Sequence, residues 1–358
     1  MKLLYGVLTN KKIIMDLLRD LCSTFSPSGS EDNAIAMWDC FCSNVGATKC
    51  YSDKIKNSGW SLGTGPTKIM VSGHIDEVNA RVQEISSNGL ISIINTGGID
   101  GKALVSSEVV LLGDKGNVLG YIGKKPIHLE HKDEMKIDNS LETLKVDVGA
   151  KSNKEVEEMG IRVGTFVVYS RRYEEIGLDK DTIVATGLDD KVGVYISAEI
   201  LKRLSTWPDN SWKDKYTVVA VACTQEEVGG RGATLAAMNI NPDISIDFDV
   251  THCSDSNGVS SSSNGDIKLG AGGVIEYGAE KSERINKLLR EIPFNFQSAS
   301  GRCGGTDTNN IQVAAKDCET ALISIPNRNM HTSVEMVSKK DVEGIICAVV
   351  KLIVEKSL

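Results

Sequence analysis

The run Thr217-Val218-Val219-Ala220-Val221-Ala222-Cys223 is the strongest constraint on how this 358-residue chain can fold. It offers apolar groups to both sides of an extended backbone and therefore needs cover on both faces, the situation of a central strand in a parallel sheet. Lys68-Ile69-Met70-Val71-Ser72, the stretch from Ile244 to Val250, and Ala321-Leu322-Ile323-Ser324-Ile325 also read as strands. Helical spacing intervenes. Apolar residues recur at 192, 196, 200 and 204, then at Ile285, Leu288, Leu289 and Ile292, and again from Val342 to Val354. Ser28-Gly29-Ser30-Glu31 has the spacing of a capping box and opens a further helix through Ala34, Met37, Phe41 and Val45. Strands alternating with helices define an α/β class, here a mixed, mostly parallel sheet flanked by helices.

From about Glu77 to Thr182 the texture changes. Alternating runs such as Leu90-Ile91-Ser92-Ile93-Ile94 and Val109-Val110-Leu111-Leu112 are broken by Gly-Gly, Asp-Gly and Lys-Gly-Asn turns. This segment reads as a small β-rich domain spanning 77–182, inserted into a discontinuous domain made of 1–76 and 183–358.

Composition narrows the class further. Hydrophobic residues at 41% and charged residues at 25% are ordinary for a globular chain and argue against disorder. No apolar run approaches the ~20 residues of a membrane-spanning helix. The segment Met1 to Leu8 meets Asn10, Lys11 and Lys12 before any full apolar core of a signal peptide, so it reads as mature sequence. A net charge of -8 disfavours a nucleic-acid partner. Nine cysteines lack the spacing of a disulfide framework, and Cys22, Cys223 and Cys318 sit in structured runs as free thiols. That usage predicts a reducing compartment, the cytoplasm.

Five short segments carry the chemistry: Gly73-His74-Ile75-Asp76-Glu77, Gly187-Leu188-Asp189-Asp190-Lys191, Thr224-Gln225-Glu226-Glu227-Val228, Asp247-Phe248-Asp249 and Met330-His331-Thr332. Four follow or end predicted strands, and Asp189 directly precedes the helix near Val192. Ligands of an open α/β sheet gather at the carboxyl ends of its strands, so residues far apart in sequence can converge there. Two divalent cations need a bridging carboxylate and terminal imidazole or carboxylate ligands. Asp189 suits the bridge, His74 and Asp249 can complete one ion, and Glu227 and His331 the other. Such a pair lowers the pKa of water and makes hydroxide available as a nucleophile. Of the adjacent Glu226 and Glu227, which point in opposite directions on an extended chain, one can ligate while the other acts as general base. Asp76, two positions after His74, is placed to orient the imidazole. His128-Leu129-Glu130-His131 has a metal-like composition but lies within the β-rich insertion and reads as structural or surface. His252 reads as a turn residue or a support for Asp249. Gly304-Gly305-Thr306-Asp307 lacks the Lys-Ser/Thr of a phosphate loop and reads as a pocket wall, with Asp307 near the free amine of a peptide.

These segments resemble, in order and nearly end to end, the cytosolic dinuclear-metal aminopeptidases that assemble into tetrahedral dodecamers, including the glutamyl, leucyl and lysyl types. The resemblance runs through Ser26-Pro27-Ser28-Gly29-Ser30-Glu31, His74-Ile75-Asp76-Glu77-Val78, Val146-Asp147-Val148-Gly149-Ala150 and Leu188-Asp189-Asp190-Lys191-Val192-Gly193. It continues through Gln225-Glu226-Glu227-Val228-Gly229, Arg231-Gly232-Ala233, Asp249-Val250-Thr251, Gly304-Gly305-Thr306-Asp307 and His331. It implies a zinc-peptidase-like fold, removal of N-terminal residues from peptides, and two zinc or cobalt ions. The bridge would be Asp189, with His74 and Asp249 on one ion and Glu227 and His331 on the other. The catalytic base would be Glu226 and its supporting acid Asp76. The 77–182 insertion would be a dimerisation domain, and the protein a homo-oligomer up to a dodecamer. The alternative chemistry for such a site is a two-metal deacylase or carboxypeptidase acting on small amides. Departures at Asn79, Asp190-Lys191, Gly230 and Asn329 alter the surroundings of the motifs and leave every implied ligand in place. Arg231 and Arg302 are candidates for contacting an acidic substrate side chain.

Overall fold

The computed structural model describes residues 17–129, 141–300 and 305–358. The reading of the N-terminal segment, together with Glu130, His131, Arg302 and Gly304, falls outside those residues. An eight-stranded sheet runs in the order Thr48–Ser52, Ser58–Leu62, Tyr216–Cys223, Thr67–His74, Ile244–His252, Glu319–Asn327, Val274–Tyr277, Gln297–Ser300. The four middle strands are mutually parallel, with Cys223 opposite His74 and Asp249 opposite Ser324. Antiparallel pairings flank them on both sides. The sheet is therefore mixed and mostly parallel, as the apolar runs require.

Alternation along the strand that opens the sequence argument sorts its residues between two cores. Val218, Ala220 and Ala222 belong to the larger cluster, with Trp38, Val194, Ile196 and Ile345 from the helices Asp32–Asn44, Leu188–Ser205 and Lys339–Glu355. Val219, Val221 and Cys223 join Ala233, Ala236 and Ala237 of the helix Arg231–Ile240 and Ile311 of Asp307–Ala314 on the opposite face. Full burial of each Val is worth ~1.5–3 kcal/mol, so both faces hold the strand in register. One local expectation fails for an identifiable reason. The Ser28 hydroxyl donates to Asp76 Oδ2 at 2.7 Å, and Glu31 Oε1 instead accepts from the amide of Gly29. The capping box is thus not made, and the helix Asp32–Asn44 starts without a side-chain cap.

Six strands between residues 79 and 169 close into an antiparallel barrel in the order Asn79–Ile85, Ile91–Thr96, Lys145–Asp147, Gly116–Ile122, Glu108–Gly113, Phe166–Tyr169. The barrel has its own core around Val82, Ile91, Ile93, Leu111, Val146 and Val167. After it, Thr182–Ala185 lies between Tyr173–Ile176 and Glu335–Ser338, antiparallel to both, in a three-stranded sheet. That pairing brings the end of the insertion beside the segment carrying His331. No helix among the described residues is long and apolar enough to cross a membrane.

Candidate metal centre

The carboxyl ends of the parallel strands gather the predicted residues. His74 is the last residue of its strand, Asp249 lies near the end of Ile244–His252, and Glu226 and Glu227 follow Cys223. Asp189 lies at the start of Leu188–Ser205, where Asp189 and Asp190 have non-helical backbone angles and the regular helix begins after them. The buried Asp190 carboxylate accepts from the amides of His74 and Gly193, at 3.2 and 3.0 Å, tying this helix start to the first strand end. Gly73 permits the approach, because a Cβ there would meet Asp190 Oδ2 and the Gly193 backbone at 2.7 Å.

Asp189 stands between the two imidazoles. Its Oδ1 is 3.1 Å from His74 Nε2 and its Oδ2 is 3.0 Å from His331 Nε2. His74 Nε2 also lies 3.8 Å from Glu226 Oε2 and 3.9 Å from Asp249 Oδ1. His331 Nε2 lies 3.5 Å from Glu227 Oε1, an oxygen that is buried and has no hydrogen-bond partner among the described residues. Ligand atoms fall within 4.8 Å of one another in three sets: His74, Asp189 and Asp249; Asp189, Glu227 and His331; and His74, Glu226 and Glu227. The third set differs from the alternation expected of an extended chain. The strand stops at Cys223 and Gln225 adopts a left-handed φ of 58°, so both glutamates turn toward the cluster.

Charge explains why this arrangement calls for cations. Burial opposes ionisation of Asp189, but hydrogen bonds from His331 and His74 overcome it and drive the carboxyl well below its usual range. Burial, with Asp189 adding repulsion, holds Glu227 and Asp249 well above theirs; burial also raises Glu226. Burial works against protonation of His331, yet the Asp189 hydrogen bond lifts it to about 10; His74 is raised likewise against its own burial. The site thus packs more acid than base into a largely buried pocket, an arrangement that is costly unless protons or metal ions sit among the oxygens. Two imidazole nitrogens with four carboxylates are a donor set for borderline divalent ions such as zinc or cobalt, and the orphaned Glu227 oxygen fits that use.

The supporting contacts were only partly expected. The Nδ1 atom of His74 lies closer to the Asp76 carbonyl, at 3.2 Å, than to its carboxylate, at 3.5 Å. The carboxylate of Asp76 accepts from the amides of Glu226 and Glu227 at 3.0 and 3.3 Å, holding the glutamate turn against the first motif. Glu335 had no sequence signal of its own. Buried, it takes the Asp189 amide on Oε2 at 3.2 Å and the His331 amide on Oε1 at 2.8 Å. Burial, with Asp189 adding repulsion, pushes this carboxyl up to about 8. His331 has a φ of 61°, uncommon for a side-chain-bearing residue, and the Glu335 bond helps retain it.

Other predicted positions fall outside the three ligand sets. His128 is in the short 3-10 turn Ile127–Leu129 of the insertion. His252 is exposed at the end of its strand, and Arg231 is exposed at its helix start. Asp307 is 2% exposed, with neither carboxylate oxygen hydrogen-bonded among the described residues, so it is a buried group rather than an open pocket wall.

Residues 60–347 match the M42 glutamyl aminopeptidase family. The lysyl aminopeptidase of Pyrococcus furiosus is 31% identical over 294 residues, covering 79% of this chain and 80% of its own length. The TET aminopeptidase of the marine sediment archaeon Thaumarchaeota archaeon SCGC AB-539-E09 superposes with a TM-score of 0.89 at 28% identity, covering 96% of both chains. The TET1 peptidase of Pyrococcus horikoshii, which can assemble into a tetrahedron or a large octahedral shell, gives a TM-score of 0.82 at 26% identity over 95% of this chain and 99% of its own. With a match spanning most of its length and a strand-end cluster able to hold metal, this chain belongs to the M42 glutamyl aminopeptidase family.

Proposed function

We propose that the protein is a two-metal aminopeptidase that removes N-terminal residues from peptides. The observation that carries this reading is Asp189, whose two oxygens face His74 and His331 at 3.1 and 3.0 Å. Asp189, His74 and Asp249 would hold one ion, and Asp189, Glu227 and His331 would hold the other. A pair of divalent ions supplies Lewis acidity to the scissile carbonyl and lowers the pKa of water. Glu226, raised by burial and reaching within 3.8 Å of His74 Nε2, takes the proton from the attacking water and delivers it to the leaving amine. Asp76 keeps that base in place through the Glu226 amide. Glu335 fixes the backbone of the bridge and of His331 together.

The same proposal covers assembly and location. The 77–182 insertion is a dimerisation domain within a discontinuous catalytic domain of 1–76 and 183–358. Ile94, Leu119 and Tyr121, about half exposed on barrel strands, support a self-association face, as do the assembled TET relatives. The free thiols of the described cysteines support a cytoplasmic location. The test is hydrolysis of a panel of amino-acid anilides against their N-acetylated counterparts, after chelation and after reloading with zinc or cobalt. Metal-dependent release from the free-amine substrates is expected. Release from blocked substrates alone would assign a deacylase instead.

A further inference from the structure

His331 is held from outside the α/β layers. Its Nδ1 lies 2.9 Å from the carbonyl oxygen of Gly98, in the barrel turn that follows Ile91–Thr96. A carbonyl only accepts, so Nδ1 donates and Nε2 is the atom left facing Asp189 and Glu227. Tyr169, the last residue of a barrel strand, donates its hydroxyl to the His331 carbonyl at 3.3 Å. The fit around the ring is tight: a Cβ on Gly98 would lie 2.7 Å from both Cε1 and Nδ1 of His331. A Cβ on the preceding Gly97 would lie 3.3 Å from that of Glu227, so one turn backs two members of the Asp189, Glu227 and His331 set. His74, by contrast, is oriented from within its own motif by Asp76, and the Asp249 carboxylate accepts from the neighbouring amide of Val250.

We propose that the Gly97–Gly98 turn of the inserted barrel is a positioning element for one of the two ion sites, the one completed by Glu227 and His331. This rests on the two-ion reading above. The Gly98 carbonyl selects the imidazole tautomer with Nε2 free, and the missing Cβ leaves room for the ring. An insertion that otherwise has a core of its own thereby forms part of the metal centre. Loss of an outer partner of a ligating histidine weakens metal binding by ~10–100-fold.

The test is Gly98→Ala in the full chain, with Gly123→Ala as control. Neither glycine has a left-handed φ, and a Cβ on Gly123 meets nothing within 4 Å among the described residues. Metal-free protein is titrated with Co2+ calorimetrically, and uptake per chain is counted after dialysis. Wild type and Gly123→Ala should each bind two equivalents. Gly98→Ala should keep one at wild-type affinity and bind the other at least ~10-fold more weakly. Unchanged affinity for both ions, or equal weakening of both in a folded variant, overturns the proposal. Wild-type uptake of a single ion overturns the two-ion reading itself, and with it this inference. Should Gly98→Ala not fold, a crystal structure of cobalt-loaded wild type decides. Nε2 of His331 on the metal with Nδ1 at the Gly98 carbonyl supports the proposal; Nδ1 on the metal overturns it.

Discussion

Glu77 invites a quantitative test, because one carboxylate there serves two cations. It is 4% exposed. The guanidinium of Arg171 donates to both of its oxygens, Lys191 Nζ donates to Oε2 at 3.2 Å, and the amide of Ser26 to Oε1 at 2.8 Å. Burial opposes its ionisation, yet Arg171 and then Lys191 prevail and bring the carboxyl from 4.5 down to about 2. That span corresponds to about 3 kcal/mol of folding free energy while the group is ionised. Lys191 fares differently. Burial, reinforced by repulsion from Arg171, holds it below the ordinary ammonium value although Glu77 works the other way, as expected when two cations share one anion. Glu77→Gln leaves those cations facing an amide, a change that in buried pairs costs ~3–5 kcal/mol. The low end, about 3 kcal/mol, agrees with the span of the carboxyl shift and is expected at pH 7. The sign of the pH dependence follows from the depressed carboxyl. Its stabilisation is complete above the unfolded value near 4.5 and disappears as pH falls toward 2. Denaturant unfolding of both proteins from pH 7 down to the acid limit of the fold should show a gap that is constant to about pH 5 and narrows below it. A gap under ~1 kcal/mol at pH 7, or one that does not shrink in acid, refutes the charge argument and leaves only packing.

Glu226→Gln should retain two metal ions per chain and lose ~10²–10⁴-fold in kcat with little change in KM; near-normal turnover would remove Glu226 as the base. His74→Ala and His331→Ala should each cost a different metal equivalent, whereas Asp189→Asn should weaken both; uptake counted after dialysis separates these patterns. Metal loading should release protons, because the Asp189 hydrogen bond overcomes burial and holds His331 at about 10 in the metal-free protein. This raised imidazole favours the metal-free protonated fold at low pH and loses that advantage as pH rises through about 10, so metal affinity should increase over that range. Calorimetry at pH 7 in buffers of different ionisation enthalpy measures the release directly, and identical heats would contradict it. Leu119→Glu with Tyr121→Glu should lower the solution mass of the assembly by charging an apolar barrel face; an unchanged mass would place the subunit contact elsewhere.

The parts of this molecule that were legible in its sequence are those where one residue type has one physical use. Val218 to Cys223 could only be a strand covered on both sides, and the alternation of its side chains between two cores follows directly. The strand-end residues His74, Asp189, Glu227, Asp249 and His331 were recognisable because imidazoles and carboxylates at apolar strand ends are expensive without a purpose. What remained hidden depends on atoms that every residue possesses. Glu226 and Glu227 were expected to diverge, but the left-handed φ of Gln225 turns both inward, and no side-chain pattern encodes that angle in a non-glycine residue. The Ser28 hydroxyl had a plausible local partner in its own helix and took a distant one, Asp76, because that buried carboxylate needs donors. Gly98 is the extreme case. It offers His331 a backbone carbonyl and an absent Cβ, neither of which distinguishes it in sequence from the many turn glycines of the barrel. The divide thus falls between side-chain and backbone chemistry: the clustered imidazoles and carboxylates are announced by their identity, while a backbone contact such as that of Gly98 with His331 becomes visible only when the 233 positions separating them are folded together.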